Sequence, residues 1–142
     1  MDDYLARLLH LAAMSAWFGS MMFITGDTRF TVAKLGDFRG LADRGRRARR
    51  AANIASGVTL GTGLYLVYAR GGLGHVPAAV HVGLFNALVL VGVQATYFRS
   101  FDALLAKTDD RAALARLRWL GPSFHALWFG TLLLMVLQRV IG

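Results

Sequence analysis

The chain has 142 residues, 56% of them hydrophobic, no cysteine and a formal net charge of +8, with a mean hydropathy of +0.47. The missing cysteines exclude disulfides, thiolate metal sites and cysteine nucleophiles. The charge sits in blocks between long apolar runs, which predicts a polytopic membrane protein of one domain, residues 1–142; nucleic-acid binding is disfavoured, because the arginines flank apolar spans and are not interleaved with exposed aromatics.

The first apolar run, Tyr4 to Thr25, carries one charge, Arg7. A run of about 20 residues crosses a bilayer core of about 30 Å at about 1.5 Å of rise per residue. Asp2 and Asp3 precede it and no basic stretch does, so it is expected to persist as a helix and not to be cleaved as a signal peptide. Positions 10, 14, 17, 21 and 24 fall on one stripe, His10, Met14, Trp17, Met21 and Ile24. Ser15 and Gly19 form a small-xxx-small pair that permits a close helix approach.

Residues 26–50 read as a polar connection, with eight basic residues against three aspartates and a cluster at Arg46, Arg47, Arg49 and Arg50. The cluster marks the cytoplasmic end of the next span. That span covers about 51–69 and contains Gly57-Val-Thr-Leu-Gly61, a GxxxG unit predicting a close helix contact; no strand precedes it, so a phosphate loop is excluded. Glycines 71, 72 and 74 and Pro77 make a short turn. The third span, about 78–98, holds His81, and its Asn86 and Gln94 are expected to bond between helices. Residues 99–118 are polar again, with an amphipathic look. The fourth span, about 119–140, has Pro122 in its first turn, then His125. The basic first and third connections place both termini outside the cytoplasm, in the inner (plasma) membrane. The fold expected is an all-α, integral membrane, up-down-up-down four-helix bundle.

Histidines in such spans are costly and mark sites. His10 and His81 lie near the outer face, His125 in the opposite leaflet, and His75 in a solvated turn. Each of the first three can simply bond a neighbouring hydroxyl or carbonyl. The functional reading is axial ligation of a b-type haem, which needs imidazoles on facing helices, small residues to admit the ring, and aromatic walls. His10 and His81 supply the first, Gly19, Gly57, Gly61, Gly63 and Gly83 the second, and Trp17, Phe18 and Phe85 the third; His125 marks a possible second site. A copper reading uses His10, Met14 and Met21, because thioethers suit Cu(I); methionines at helical spacing also fill core gaps. All eight acids are aspartates outside the spans, which argues against hydrolytic pairs or an intramembrane carboxylate relay.

The pattern resembles the HemJ-type protoporphyrinogen oxidase family and, more loosely, copper resistance protein D-like domains. It rests on His10 seven residues before Trp17-Phe18, on Thr59-Leu-Gly-Thr-Gly63-Leu64, on Ala79-Val80-His81-Val82-Gly83, and on Pro122 near the start of the fourth span. The resemblance implies a four-span fold binding haem b through the first-helix histidine, His10, and a third-helix lysine; Gly83 stands where that lysine would be, so His81 is the preferred substitute, a five-coordinate haem on His10 the second reading and His125, disfavoured by its depth, the third. It implies a redox role, electron transfer or porphyrinogen oxidation. The expected partners are the bilayer, haem, a porphyrin substrate or redox protein, and a second copy of the chain. Copper binding or transport, and a non-catalytic membrane subunit, are the alternatives.

Overall fold

Gly36 and Asp37 stop the first helix; the polar residues before them do not. In the computed structural model α1 covers Asp3–Phe30 and runs on through one π-helical turn, Thr31–Leu35. Gly36 then adopts a left-handed conformation, φ 65°, which costs glycine no Cβ clash. Asp37 caps α2, Phe38–Ala69, its carboxylate accepting the Gly40 N–H at 2.9 Å. The stretch read as a polar connection over 26–50 is therefore helical almost throughout. Polar and charged side chains leave a helix backbone intact, and it ends only where its conformation changes.

Gly71 and Gly72, with φ of 91° and 92°, and a short 3-10 turn, Leu73–His75, lead to α3, Ala78–Ala106. Asp110 caps α4, Arg111–Ile141, by accepting the Ala112 and Ala113 N–H groups at 2.9 and 3.0 Å. The structure describes residues 3–141, without the side chains of residues 35 and 138–141; Asp2 lies outside them. The described residues hold four helices and no strand. α1 packs on α2 and α3 on α4, and the two hairpins meet through α1–α4 and α2–α3.

Because α4 begins at Arg111, Pro122 lies inside the helix and not in its first turn. Proline has no N–H to offer the carbonyl four residues back, which is that of Arg118. The Arg29 guanidinium of α1 donates to that carbonyl at 3.2 Å. Arg29→Ala is expected to cost about 0.5–1 kcal/mol in the native background and close to nothing in Pro122→Ala, where the restored N–H takes the carbonyl. Unfolding measured on all four combinations checks this, and equal costs in both backgrounds would contradict it.

The α1 stripe faces inward as expected: Met14, Trp17, Met21 and Ile24 are buried and His10 is half-buried. Packing is tightest at the charged end, where Ile24, Leu41, Tyr97, Phe101 and Leu104 interlock and the ring of Phe101 lies against Gly45. Ion pairs fasten the same end. Arg44 meets Asp27 at 2.8 Å and Arg49 meets Asp102 at 2.6 Å, while Arg49 also covers the Phe98 ring at 4.8 Å. Both basic segments thus lie at one end of the bundle. The amides bond between helices: Gln94 accepts from the buried Trp17 indole N–H and donates to Asn53 at 2.8 Å, and Asn86 donates to Thr131 at 3.1 Å.

The small-residue motifs do not make the contacts expected of them. A Cβ added at Gly19, Gly57 or Gly61 would meet nothing within 4 Å; these positions face away from the other helices of the chain. Three helical stretches are long and apolar enough to cross a membrane, Asp3–Lys34, Ala78–Ala106 and Arg111–Leu137. The span expected at 51–69 is not among them, because α2 is built there largely from alanine, glycine, serine and threonine.

Candidate functional site

The bundle that is filled at its charged end opens at the other. There a cavity of about 210 Å³, about 920 Å³ with its open mouth, is lined by all four helices. Its walls are mostly apolar: Trp17, Leu66, Leu84, Leu90 and Trp128 among others, with Arg70 at the rim. His10 reaches it from α1, held against α2 by two contacts of Nδ1, to the Thr59 carbonyl and the Thr62 hydroxyl oxygen, each 3.0 Å.

Those contacts assign the tautomer. A carbonyl can only accept, so Nδ1 carries the hydrogen. The Thr62 hydroxyl donates elsewhere, to the Val58 carbonyl at 2.6 Å, and so it too accepts from His10. In the neutral ring the lone pair is then on Nε2. A nitrogen ligand whose other ring N–H is tied to a carbonyl is the usual arrangement of a metal-binding histidine, since it fixes the ring and raises its basicity.

Gly63 gives the ring its clearance. A Cβ there would lie 3.2 Å from His10 Cε1 and 3.7 Å from Nδ1, so any side chain would press on the imidazole. Gly83 of α3 is likewise buried at the cavity wall, where its Cβ would lie 2.5 Å from Met135 Cε. Trp128 is 8% exposed, and its indole N–H has no acceptor among the described residues.

Of the residues singled out from the sequence, His10, Met14 and Trp17 line this cavity. His81 does not join them. It is exposed on the first turns of α3, 3.3 Å through Nδ1 from the Pro77 carbonyl. Phe85 is 66% exposed, and Gly61 is exposed as well. One cause covers all three: each is two residues from a cavity-lining glycine, Gly83 or Gly63, and two residues are about 200° of helix rotation. Met21 is fully buried in the core away from the cavity.

Phe18 and His125 meet elsewhere, ring centroids 5.3 Å apart, beside a second recess that also takes in Arg29, Gly121 and Pro122. The His125 Nε2 is buried with no partner among the described residues. Sequence reasoning passed over Met135 and Arg70. Met135 sits in a uniformly apolar run, Leu132-Leu-Leu-Met135-Val-Leu, where no periodicity separates an inner from an outer face; Arg70 was readable only as a turn residue.

No group of three or more histidines and aspartates able to hold a bare metal ion occurs among the described residues. The cavity offers instead one imidazole, apolar and aromatic walls and a rim cation. That donor set could give one nitrogen ligand and an apolar enclosure to a prosthetic group, but not a multidentate site for a bare ion. The chain matches no family model, no curated protein and no solved structure.

Proposed function

We propose that the chain is an integral membrane protein that crosses the bilayer four times and binds haem b through His10, in a redox role: electron transfer, or oxidation of a porphyrinogen-like substrate. The observation that carries this reading is the His10 ring, which gives its Nδ1–H to the Thr59 carbonyl and lines a mostly apolar recess between four helices.

The membrane part draws on the three apolar helices and on what they expose. Leu8, Phe23, Leu88 and Leu133 are 47%, 54%, 58% and 59% exposed, an apolar surface that a water-soluble monomer rarely tolerates. α2 crosses with α1 because it is hairpinned to it along its length. Its small residues suit a helix that packs inside the bundle. The orientation proposed, with the basic end in the cytoplasm and both termini outside, follows the positive-inside rule.

Bound haem supplies a ferric/ferrous couple for one electron at a time. His10 would hold the iron, and its Nδ1–H, donated to the Thr59 carbonyl, would make the other ring nitrogen the stronger donor. Trp17 and Trp128 wall the site against water, and their low-dielectric surroundings set the potential. Arg70 at the rim is placed to pair with a carboxylate edge. The resemblance to the HemJ-type family supports the same reading, and the porphyrinogen oxidase activity it implies is the finer form of the proposal.

A copper reading draws on Met14 sharing the cavity with His10; Met21 is not part of it. The absorption spectrum of the protein purified from membranes in detergent separates the readings. A red protein with a Soret band is expected, retained in the membrane fraction after carbonate washing. A colourless protein carrying copper would favour the second reading. A colourless, metal-free protein would leave only a packing role for the histidines.

A further inference from the structure

Two glycines on opposite hairpins do the same work at the same level of the bundle. In the α1–α2 hairpin Gly63 makes room for His10; in the α3–α4 hairpin Gly83 makes room for the thioether end of Met135, whose Cε lies 2.5 Å from where a Cβ would stand. His10 comes seven residues after the start of α1 and Gly63 six before the end of α2; Gly83 comes five after the start of α3 and Met135 six before the end of α4. At about 1.5 Å per residue these offsets place all four at similar heights, about 7–11 Å from their helix ends. His10 and Met135 both line the one cavity.

Few cavity groups can donate an electron pair to iron at that level. Indole N–H and guanidinium groups have no lone pair to give, which removes Trp17, Trp128 and Arg70. Met14 is one turn from His10 on the same helix and so shares its wall. His81 is exposed outside the cavity. Met135 is the sulfur donor carried by the opposing hairpin. Its unbranched side chain can bring the thioether into the recess.

We propose that Met135 is the second axial ligand, so that His10 Nε2 and the Met135 thioether grip the iron from the two hairpins. This rests on the haem reading above. It makes the site a histidine–methionine centre, six-coordinate and low-spin, with a potential above that of a five-coordinate or bis-imidazole haem in the same cavity.

The test compares native protein, Met135→Leu, Met135→His and His81→Ala, each purified with haem. Leucine fills the same space without a donor. Met135→Leu is expected to keep the Soret band, to turn high-spin in the ferric state, to lose the near-infrared thioether-to-iron charge-transfer band and to drop in midpoint potential. Met135→His is expected to stay low-spin with that band gone and a lower potential, and His81→Ala to match the native protein. A Met135→Leu protein still low-spin with its band and potential unchanged overturns the ligand pair and leaves the haem reading standing; so does a native protein that is high-spin or lacks the band. A native protein without haem overturns both. Should Met135→Leu not accumulate, the near-infrared spectrum of the native protein and the potential of Met135→His decide.

Discussion

His10→Ala is expected to purify without haem: the Soret band is lost while helix content measured by circular dichroism is kept. The fold does not depend on this side chain, which is half-buried at the open end of the bundle, far from the interlocked core around Ile24, Leu41 and Phe101. Haem retention is expected to depend on it, because His10 is the imidazole among the cavity-lining residues. His10→Gly sharpens the test. It leaves a gap between Gly63 and the cavity, and added imidazole is expected to fill that gap and restore the band, which no general unfolding would allow. Thr62→Val is expected to weaken haem retention by about tenfold or less, the low end for loss of a ligand's hydrogen-bond partner, because the Thr59 carbonyl still accepts from Nδ1 at 3.0 Å. A His10→Ala protein with an undiminished Soret band would move the haem elsewhere, and His125 would be the next residue to change.

Gln94→Leu is expected to be the most damaging single change away from the cavity, lowering stability by on the order of 2–3 kcal/mol. Gln94 is 4% exposed and Trp17 1%. The amide joins three helices, accepting from Trp17 of α1 and donating to Asn53 of α2 at 2.8 Å. Leucine keeps the volume but strands the Trp17 N–H, and a buried donor without an acceptor costs about 1–3 kcal/mol beyond the bonds lost. Asn86→Leu is the control. Its partner, the Thr131 hydroxyl, still bonds the Leu127 carbonyl at 2.8 Å, so that change is expected to cost about 1 kcal/mol or less. Thermal unfolding in detergent measures both, and equal costs would contradict the assignment. Since Trp17 also walls the His10 cavity, Gln94→Leu is further expected to speed haem loss.

The inner stripe of α1 was legible because His10, Met14, Trp17, Met21 and Ile24 repeat at the helical period against a changing background. The interhelical work of Asn86 and Gln94 was legible because an amide in an apolar run has few other ways to be satisfied. The reach of the helices was less so. Where the residues turn polar at 26–50, hydropathy alone suggests a connection, but the first helix ends only at Gly36 with its positive φ, and Asp37 and Asp110 cap the starts of α2 and α4.

By itself the sequence determined four helices, the inward stripe on α1 and a histidine at the outer end of that stripe. Only the tertiary structure decided which glycines matter and what faces His10, because those depend on how each helix is rotated about its axis. A run such as Leu132 to Leu137 looks alike from every side, and a shift of two residues carries a side chain from cavity to surface. So Gly63 and not Gly61 cradles the imidazole, Gly83 and not His81 or Phe85 faces the cavity, and Met135, indistinct among leucines, comes to share it with His10.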